Sequence, residues 1–302
     1  DDAHAAAARD AADVEHAPDG GDADPGEPPV PLADFPRSAA AGIFFHEVLE
    51  RHDVGEPERL AERVALALEA HGFAGGGWEG AVAAELARVL DAPLARARDG
   101  ARPLRLRDVG AASRLAELRF ELPAVARASA AAGATITPAA LARAIAEHPG
   151  GALDRAGSGV ARAEYAARVA ALGFPPLRGF LTGAIDLVAR DGDGRWWLVD
   201  YKSNHLGARR SDYAPARLGA AMADAHYVLQ YHLYALALAR WLAWRVPGFD
   251  WERDVGGVCY LFLRGVGDAG DDGVARTGVF VDRLPAARVA ALDRLFREGA
   301  AR

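Results

Sequence analysis

Two predominantly apolar segments joined by a short turn constrain the fold more than any other part of the sequence. They span residues 179–189 and 196–202, and Asp191-Gly192-Asp193-Gly194 between them is typical of a hairpin turn. Large apolar residues such as Ile185 and Val199 flank the few polar ones, which is the pattern of strands buried on both faces. We therefore predict a β-hairpin in the interior of the protein.

Apolar residues at helical or strand spacing divide the rest of the chain into further elements. Helices are predicted over residues 39–50, 58–70, 78–98, 216–245 and 284–298, and strands over 113–122 and 258–263. Residues 124–172 are rich in alanine with helical periodicity, which predicts a helical insert before the hairpin. Together these elements predict the α/β fold class.

The first 35 residues differ in composition from the remainder of the chain. They consist largely of Ala, Asp, Gly and Pro, with few large apolar side chains that could be buried. We expect residues 1–35 to form a flexible tether and residues 36–302 to form one domain. Because the chain does not begin with Met, we also expect it to be a piece of a longer protein.

Composition excludes several kinds of protein and site. The 302 residues include one Cys, which excludes a disulfide scaffold, a four-cysteine zinc site and a four-cysteine iron–sulfur cluster within the chain. No apolar run reaches the roughly 18 residues of a membrane-spanning helix, so no such helix is expected. The formal net charge of −7 argues against a general nucleic-acid-coating protein, but not against an enzyme that binds a metal through carboxylates.

Lys202 is the only lysine, and arginine supplies nearly all of the positive charge. The abundance of Ala, Gly and Arg is typical of GC-rich coding, under which Arg tends to replace Lys wherever any cation suffices. A lysine that remains indicates a site at which Arg does not suffice, because only lysine can readily lose its proton. Since Tyr201 rather than Gly precedes this lysine, the chain contains no Walker A motif and no ATP site.

Three charged residues lie on the two strands of the predicted hairpin. Asp186 is on the first strand, and Asp200 and Lys202 are two positions apart on the second, so the latter two point to the same face. Converging carboxylates repel each other unless a cation lies between them, and their oxygens suit Mg²⁺ or Mn²⁺. A lysine beside such an ion can hold or deprotonate a water molecule, which predicts phosphodiester hydrolysis. In an ordinary hairpin the same residues would face solvent, but charges within buried strands require another explanation.

Several segments of the chain resemble one enzyme family. They are Ala41–Glu50, Gly183–Val188, Leu198–Asn204, Tyr227–Tyr234 and Gly256–Gly265. These segments resemble motifs of the PD-(D/E)XK nuclease superfamily and, more narrowly, of the RecB-type nuclease domains within it. The resemblance extends in order from about residue 35 to residue 298, and it implies a central mixed β-sheet flanked by helices, with helical additions.

The resemblance implies a role for each charged residue of the hairpin and for one histidine. It implies that His46, Asp186 and Asp200 bind a metal ion together with the backbone carbonyl of Tyr201, and that Asp200 and Lys202 are catalytic. The expected ion is Mg²⁺, with Mn²⁺ as a possible substitute. Considered alone, His46 on an apolar helix would more often be a core histidine.

Three residues outside the hairpin also match positions of the family. Glu117 matches an acidic residue that supports catalysis, although by itself it is equally compatible with an exposed strand position. Gln230 and Tyr234 are four residues apart and hence on one helix face, and they match residues that orient the site or the nucleic-acid strand. With Tyr227 and Tyr231 they could instead form an ordinary packing stripe.

The resemblance therefore implies a Mg²⁺-dependent DNA nuclease of the exodeoxyribonuclease V type. Such a domain belongs to a helicase–nuclease subunit that acts in recombinational repair of double-strand breaks and in degradation of linear DNA. Expected partners are DNA, subunits of the RecC and RecD types and a RecA-type recombinase, in the bacterial cytoplasm at the nucleoid. Two alternatives remain open, namely a docking module with little or no cleavage and a free-standing nuclease of the same superfamily.

Overall fold

A five-stranded mixed sheet forms the centre of the structure, a computed structural model that describes residues 26–96, 101–125, 129, 133–270 and 273–300. Its strands, in their order across the sheet, are β1 (Arg114–Pro123), β2 (Phe180–Arg190), β3 (Trp196–Lys202), β4 (Val255–Phe262) and β5 (Val279–Asp282). The β3–β4 pair is parallel and the other three pairs are antiparallel. The predicted α/β class with a mixed sheet is confirmed.

Helices cover both faces of the sheet. In chain order they are α1 (Ala39–Arg51), α2 (Leu60–Ala70), α3 (Glu79–Asp91), α4 (Pro138–Ala146), α5 (Arg162–Ala170), α6 (Pro215–Asp224), α7 (Tyr227–Arg245), α8 (Trp251–Asp254) and α9 (Ala286–Glu298). Side chains of α1–α3 form the core on one face, and side chains of α4–α9 form the core on the other. Within the described residues, no helix has both the length and the apolar character needed to cross a lipid bilayer.

The predicted hairpin is formed by β2 and β3, and its turn is organised by one carboxylate. Asp191 accepts hydrogen bonds from the backbone N–H groups of Asp193 and Arg195, at 3.0 and 2.9 Å, and from the indole N–H of Trp197 at 2.7 Å. Gly194 has a φ of 83°, a left-handed conformation that favours glycine. The turn therefore depends on the Asp and Gly residues from which it was predicted.

Side chains of β3 alternate between the two cores. Trp197, Val199 and Tyr201 lie in the core with α1–α3, whereas Leu198 lies in the core on the opposite face. Asp200 and Lys202 share the face of Leu198, because residues two apart on a strand point the same way, and each is only 1% exposed. The prediction that the charged residues belong to strands buried on both faces is confirmed for β3, whereas residues 180–184 of β2 are exposed or only partly buried.

Two helix predictions differ from the structure. The helix predicted over 216–245 is wrong as one element, because α6 and α7 are separated at His226, whose φ is 54°. The hydroxyl of Tyr165 accepts the N–H of Leu229 at 2.9 Å, so a distant side chain supports the new helix start. The helix predicted over 78–98 ends at Asp91, and residues 97–100 lie outside the described residues. The helices α4 and α5 lie within the predicted helical insert 124–172, of which residues 126–128 and 130–132 are not described.

The packed structure begins before the predicted boundary at residue 35. Residues 1–25 of the predicted tether lie outside the described residues. From there on, the N–H of Val30 donates to the carbonyl of Ala208 at 2.7 Å, and Leu32 and Phe35 are buried in the core with α1–α3. The few apolar side chains of this Pro-rich stretch are therefore sufficient to attach it to the domain.

Arg264 fastens this N-terminal stretch to the sheet. Its guanidinium donates to the carbonyls of Leu32, Phe35, Pro36 and Ser203 at 2.7 to 2.9 Å, and the residue is 1% exposed. Burial lowers the pKa of Arg264 to about 10, so the side chain remains charged at neutral pH. The charge is thus compensated by backbone dipoles.

We expect Arg264→Met to lower the free energy of unfolding by about 2–5 kcal/mol, because several buried carbonyls lose their donor. Urea denaturation would measure the change. Arg143→Met is the matched control, because Arg143 is exposed on α4 and forms no ion pair with described residues, and it should change stability by less than about 0.5 kcal/mol. Equal stability of the two variants would contradict the prediction.

Candidate active site

The site lies where β2 and β3 separate. Their ladder ends at the pair Leu187 and Val199, while β2 continues to pair with β1 and β3 continues to pair with β4 as far as Lys202. A gap therefore opens between the two central strands. Asp186 is the first residue of β2 beyond the last pair, and Asp200 is the first residue of β3 beyond it.

At this gap, side chains rather than a neighbouring strand form the hydrogen bonds to the backbone N–H and carbonyl of Tyr201. The carboxylate of Asp186 accepts the N–H of Tyr201 at 2.8 Å, and Nε2 of His46 lies 2.9 Å from the carbonyl oxygen of Tyr201. Because a carbonyl can only accept, Nε2 of His46 carries the hydrogen in this state. Nδ1 of His46 lies 3.4 Å from Asp186, so α1 is connected to both strands at the gap.

The histidine and the carboxylate at the gap stabilise each other's charge. Burial by itself lowers the pKa of His46, but the charge of Asp186 and the hydrogen bond to it raise the pKa to about 9. Burial raises the pKa of Asp186, but His46, Lys202 and the N–H of Tyr201 together hold it below its ordinary value. The pair is therefore an imidazolium and a carboxylate at neutral pH.

Asp200 and Lys202 form a second pair that is almost completely buried. Nζ of Lys202 lies 2.9 Å from Oδ2 of Asp200. The same ammonium lies 4.0 Å from the ring centroid of Tyr227 and 5.5 Å from that of Tyr260, where the π-faces favour a cation. Apolar residues of similar size often stabilise a core as well as a buried ion pair does, so stability alone does not account for this pair.

Gln230 and Tyr234 belong to a hydrogen-bonded network beside Lys202. The hydroxyl of Tyr260 donates to Oε1 of Gln230 at 3.0 Å, and Nε2 of Gln230 donates to the hydroxyl of Tyr234 at 3.2 Å. On the other side, the hydroxyl of Tyr227 donates to Oδ1 of Asn204 at 3.2 Å. The aromatic rings that contact the lysine are thus held by α7 and by the segment after β3.

Glu117 adopts a backbone conformation that is unusual for its residue type. Its φ is 48°, and it lies opposite Asp186 between the pairs Ala116–Leu187 and Leu118–Ile185. Side chains other than glycine rarely adopt this region, and such strain is concentrated at functional sites. Burial, together with the negative charge of Glu117, raises the pKa of Glu50 on α1, so Glu117 lies close enough to that helix to act on it.

Comparison with known proteins identifies the family. The sequence profile of the PD-(D/E)XK nuclease superfamily matches residues 26–302. The chain belongs to the PD-(D/E)XK nuclease superfamily. Nucleases of this superfamily generally use divalent metal ions.

Individual relatives place this PD-(D/E)XK domain near one group of enzymes. The RecBCD enzyme subunit RecB of Mycobacterium tuberculosis is 38% identical over 287 residues, which cover 89% of this chain and 24% of the relative. RecB of Mycolicibacterium smegmatis is 37% identical over 88% of this chain and 24% of the relative. RecB of Escherichia coli is 34% identical over 89% of this chain and 20% of the relative. The chain is therefore a nuclease domain related to RecB, and it spans a fifth to a quarter of the length of these relatives.

The donors at the gap fit a divalent cation in kind. Across the described ranges, no group of three or more His, Cys, Asp or Glu side chains is already arranged to hold a metal ion. At the gap, His46 contacts Asp186, and Asp200 contacts Lys202. However, two carboxylates and the carbonyl of Tyr201, which lies outside the β2–β3 ladder, are oxygen ligands of the kind that a hard divalent ion takes. The imidazole of His46 adds a nitrogen donor of borderline softness. Ion binding would displace the proton that His46 carries.

Three residues of the site were not predicted from the sequence as functional residues. Tyr227 and Tyr260 contact the ammonium of Lys202, and Asn204 holds the hydroxyl of Tyr227. One of them has a sequence signal, because Tyr227 lies three residues before Gln230 on the same helix and therefore near the same face. The sequence left open whether this helix face was a packing stripe, and it did not indicate that Tyr227 contacts the lysine.

Proposed function

We propose that this PD-(D/E)XK domain hydrolyses phosphodiester bonds in DNA with Mg²⁺ bound where β2 and β3 separate. The observation that carries the proposal is the buried pair of Asp200 and Lys202 beside His46 and Asp186. The matching superfamily and the RecB relatives support the same function. Catalysis also explains why a lysine is retained in a chain whose other basic side chains, histidine aside, are all arginine.

Four donors would hold the ion, namely the imidazole of His46, the carboxylates of Asp186 and Asp200 and the carbonyl of Tyr201. A bound Mg²⁺ supplies an activated water and neutralises the charge that develops on the phosphate, and Mn²⁺ can take its place. In hydrolysis the water oxygen forms a bond to phosphorus, the bond from phosphorus to the leaving sugar oxygen breaks, and the water gives up a proton. As the ammonium that Asp200 holds at 2.9 Å, Lys202 would position that water and the proton would pass to solvent, whereas as a neutral amine it would take the proton itself. The leaving sugar oxygen takes up a proton from solvent.

The remaining residues act on the position of the substrate or of the catalytic groups. Gln230 and Tyr234 orient the site or the DNA strand through the network that includes Tyr260. Glu117 supports the site from the strained position opposite Asp186. Gln230 and Tyr234 approach the gap from α7, whereas Glu117 approaches it from β1.

We further propose that the domain works within a longer RecB-like subunit. Its relatives are named as subunits of the RecBCD enzyme, so the proposed partners are subunits of the RecC and RecD types, DNA ends and a RecA-type recombinase. A helicase motor elsewhere in the subunit would deliver the strand, since this chain has no Walker A motif. The proposed setting is break repair and degradation of linear DNA in the bacterial cytoplasm at the nucleoid.

The test is cleavage of linear and circular single-stranded DNA by the 302-residue chain, with Mg²⁺ and with EDTA. We expect cleavage with Mg²⁺, none with EDTA, and none by Asp200→Ala. The control is Arg143→Ala, which changes an exposed arginine of α4 and should cleave like the parent. Cleavage that persists in EDTA or in Asp200→Ala would contradict the proposal.

A docking module for DNA or a recombinase is the second candidate. It is favoured by the fact that the acidic side chains at the gap already have internal partners, His46 for Asp186 and Lys202 for Asp200. Calorimetric titration with Mn²⁺ distinguishes the two functions. A nuclease should bind the ion and lose it in Asp200→Ala, whereas a docking module needs no divalent ion at this position.

A further inference from the structure

Arg37 carries an exposed positive charge beside the end of β3. Its Nη2 lies 3.0 Å from Nε2 of His205, and among the described residues no carboxylate forms an ion pair with it. Some exposed arginines do have such partners, as Arg51 has Glu47 at 2.7 Å, whereas Arg143 on α4 has none among the described residues. What distinguishes Arg37 from Arg143 is its contact with His205, which follows the end of β3. In a chain with a net charge of −7, an exposed arginine without a carboxylate partner is available to an anionic ligand.

Two sets of contacts fix the segment of Arg37 relative to the catalytic gap. Arg264 donates to the carbonyl of Pro36 at 2.7 Å and to that of Ser203 at 2.8 Å. It therefore connects the residue before Arg37 to the residue after Lys202. Ser38, which follows Arg37, accepts the N–H of Ala41 at 3.2 Å and caps α1. The segment is therefore tied both to the helix of His46 and to the end of the strand of Lys202.

A continuous series of contacts leads from Lys202 to the arginine. The ammonium of Lys202 contacts the ring of Tyr227, whose hydroxyl donates to Asn204. His205 follows Asn204 in the chain and contacts Arg37. Three residues of extended chain span at most about 11 Å, so the Cα atoms of Lys202 and His205 are no farther apart than that. The Arg37 guanidinium contacts the His205 side chain, which places it beside the chain segment that leaves the catalytic strand.

His205 orients the guanidinium without cancelling its charge. Burial, with the charges of Arg37 and Arg264, lowers the pKa of His205 to about 4, so the ring is neutral at pH 7. A neutral ring nitrogen accepts a hydrogen bond from Arg37 but contributes no negative charge. The remaining N–H groups of a guanidinium match the oxygens of a phosphate in geometry and charge.

We propose that Arg37, oriented by His205, binds a backbone phosphate of the DNA strand close to the phosphate that is cleaved. The inference rests on the proposed nuclease function and adds a substrate contact to it. A contact to phosphate positions the strand and carries no sequence information, so binding through Arg37 should be independent of base sequence.

The test is binding of a fluorescein-labelled oligothymidylate to the 302-residue chain, measured by anisotropy in EDTA over a series of salt concentrations. We expect Arg37→Ala to raise the Kd about tenfold at low salt, and to reduce the slope of log Kd against log salt by about 0.7, the value for one phosphate contact on single-stranded DNA. Arg37→Lys keeps the charge and should retain most of the slope. Arg143→Ala is the control and should bind like the parent.

Two substitutions of His205 distinguish orientation from general disruption. His205→Asp places a carboxylate beside Arg37, which should pair with it and weaken binding at least as much as Arg37→Ala does. His205→Asn keeps an acceptor without charge and should stay within about twofold of the parent. Thermal unfolding checks that the variants are folded, and if Arg37→Ala is not, His205→Asp decides the question.

The outcomes separate the failure of this inference from that of the nuclease function. If the parent binds DNA and Arg37→Ala binds as well as Arg143→Ala, the phosphate contact is wrong and the nuclease proposal stands. If the parent fails to bind DNA even at low salt, the phosphate contact is overturned, and the nuclease function is decided separately by the cleavage assay with Mg²⁺.

Discussion

Lys202→Ala should reduce single-turnover cleavage by about a thousandfold or more, while the affinity for Mn²⁺ stays the same or increases. General acid–base groups typically contribute factors of 10²–10⁴, which sets the scale of the loss. Affinity for the ion is retained because the substitution removes a cation 2.9 Å from Asp200 and leaves the site more negative. Cleavage of a labelled oligonucleotide with saturating Mn²⁺, together with calorimetry, measures both effects.

The same substitution has a consequence for stability that distinguishes catalysis from packing. Without Lys202, the carboxylate of Asp200 is left buried without that cation, which should destabilise the metal-free protein by about 3–5 kcal/mol. Mn²⁺ should restore part of this loss, because the ion replaces the missing positive charge. A variant that is stabilised by Mn²⁺ and does not cleave would show that the lysine acts on the reaction itself.

Lys202→Arg is the matched variant for charge. It keeps the cation beside Asp200, but its guanidinium cannot readily lose a proton, and its planar head has to fit between Tyr227 and Tyr260. We expect cleavage to remain at least about a hundredfold below that of the parent. Cleavage close to the parent rate would show that any cation suffices at this position, and it would contradict the proposed role of the lysine.

The elements of the site that could be predicted from sequence follow from local rules. Asp200 and Lys202 had to share a face because residues two apart on a strand do so, and the apolar residues around them indicated burial. The turn at Asp191 and Gly194 was recognisable because short polar side chains and left-handed glycines form hairpin turns. The structure confirms these features. They were predictable because each depends on neighbours within a few residues of the chain.

The features that could not be predicted depend on partners far away in the chain. The break between α6 and α7 is supported by Tyr165, which lies 64 residues before the N–H that it caps. The packing of residues 32–36 depends on Arg264, more than 200 residues later. The boundary at residue 35 was predicted from local composition alone. Because composition does not indicate a partner so far along the chain, the predicted boundary came too late.

Glu117 illustrates a conformation that only the assembled sheet explains. Its position in a strand was predictable from the alternation of Leu118 and Phe120 with charged residues, but its φ of 48° was not. The strain falls at the residue opposite Asp186, where β2 starts to separate from β3. The sheet therefore departs from regular geometry on the β1 side of the gap, next to the proposed ion-binding donor Asp186.

Asp186→Asn should lower the affinity for Mn²⁺ by at least about a hundredfold and abolish detectable cleavage, without opening the sheet. The amide oxygen of the asparagine can still accept the N–H of Tyr201, so the contact between β2 and β3 is retained. What is lost is the negative charge that a divalent ion requires. Calorimetry with Mn²⁺ and thermal unfolding with and without the ion would measure the effect, and the stabilisation by Mn²⁺ should disappear.

The metal-free variant gives an independent check on the same carboxylate. Asp186 is the main reason that the pKa of His46 is raised to about 9, against a burial that lowers it. In Asp186→Asn the pKa of His46 should fall from about 9, as followed by NMR titration in EDTA, because burial still lowers it and the main opposing charge is gone. In the parent, this interaction stabilises the fold fully below pH 6.5, the ordinary pKa of histidine, and the contribution is lost as the pH rises through about 9. Asp224→Asn changes an exposed carboxylate of α6 and is the control, which should alter neither the affinity for Mn²⁺ nor the pKa of His46. If His46 titrates in Asp186→Asn as it does in the parent, the two residues do not interact, and the basis for a shared ion is removed.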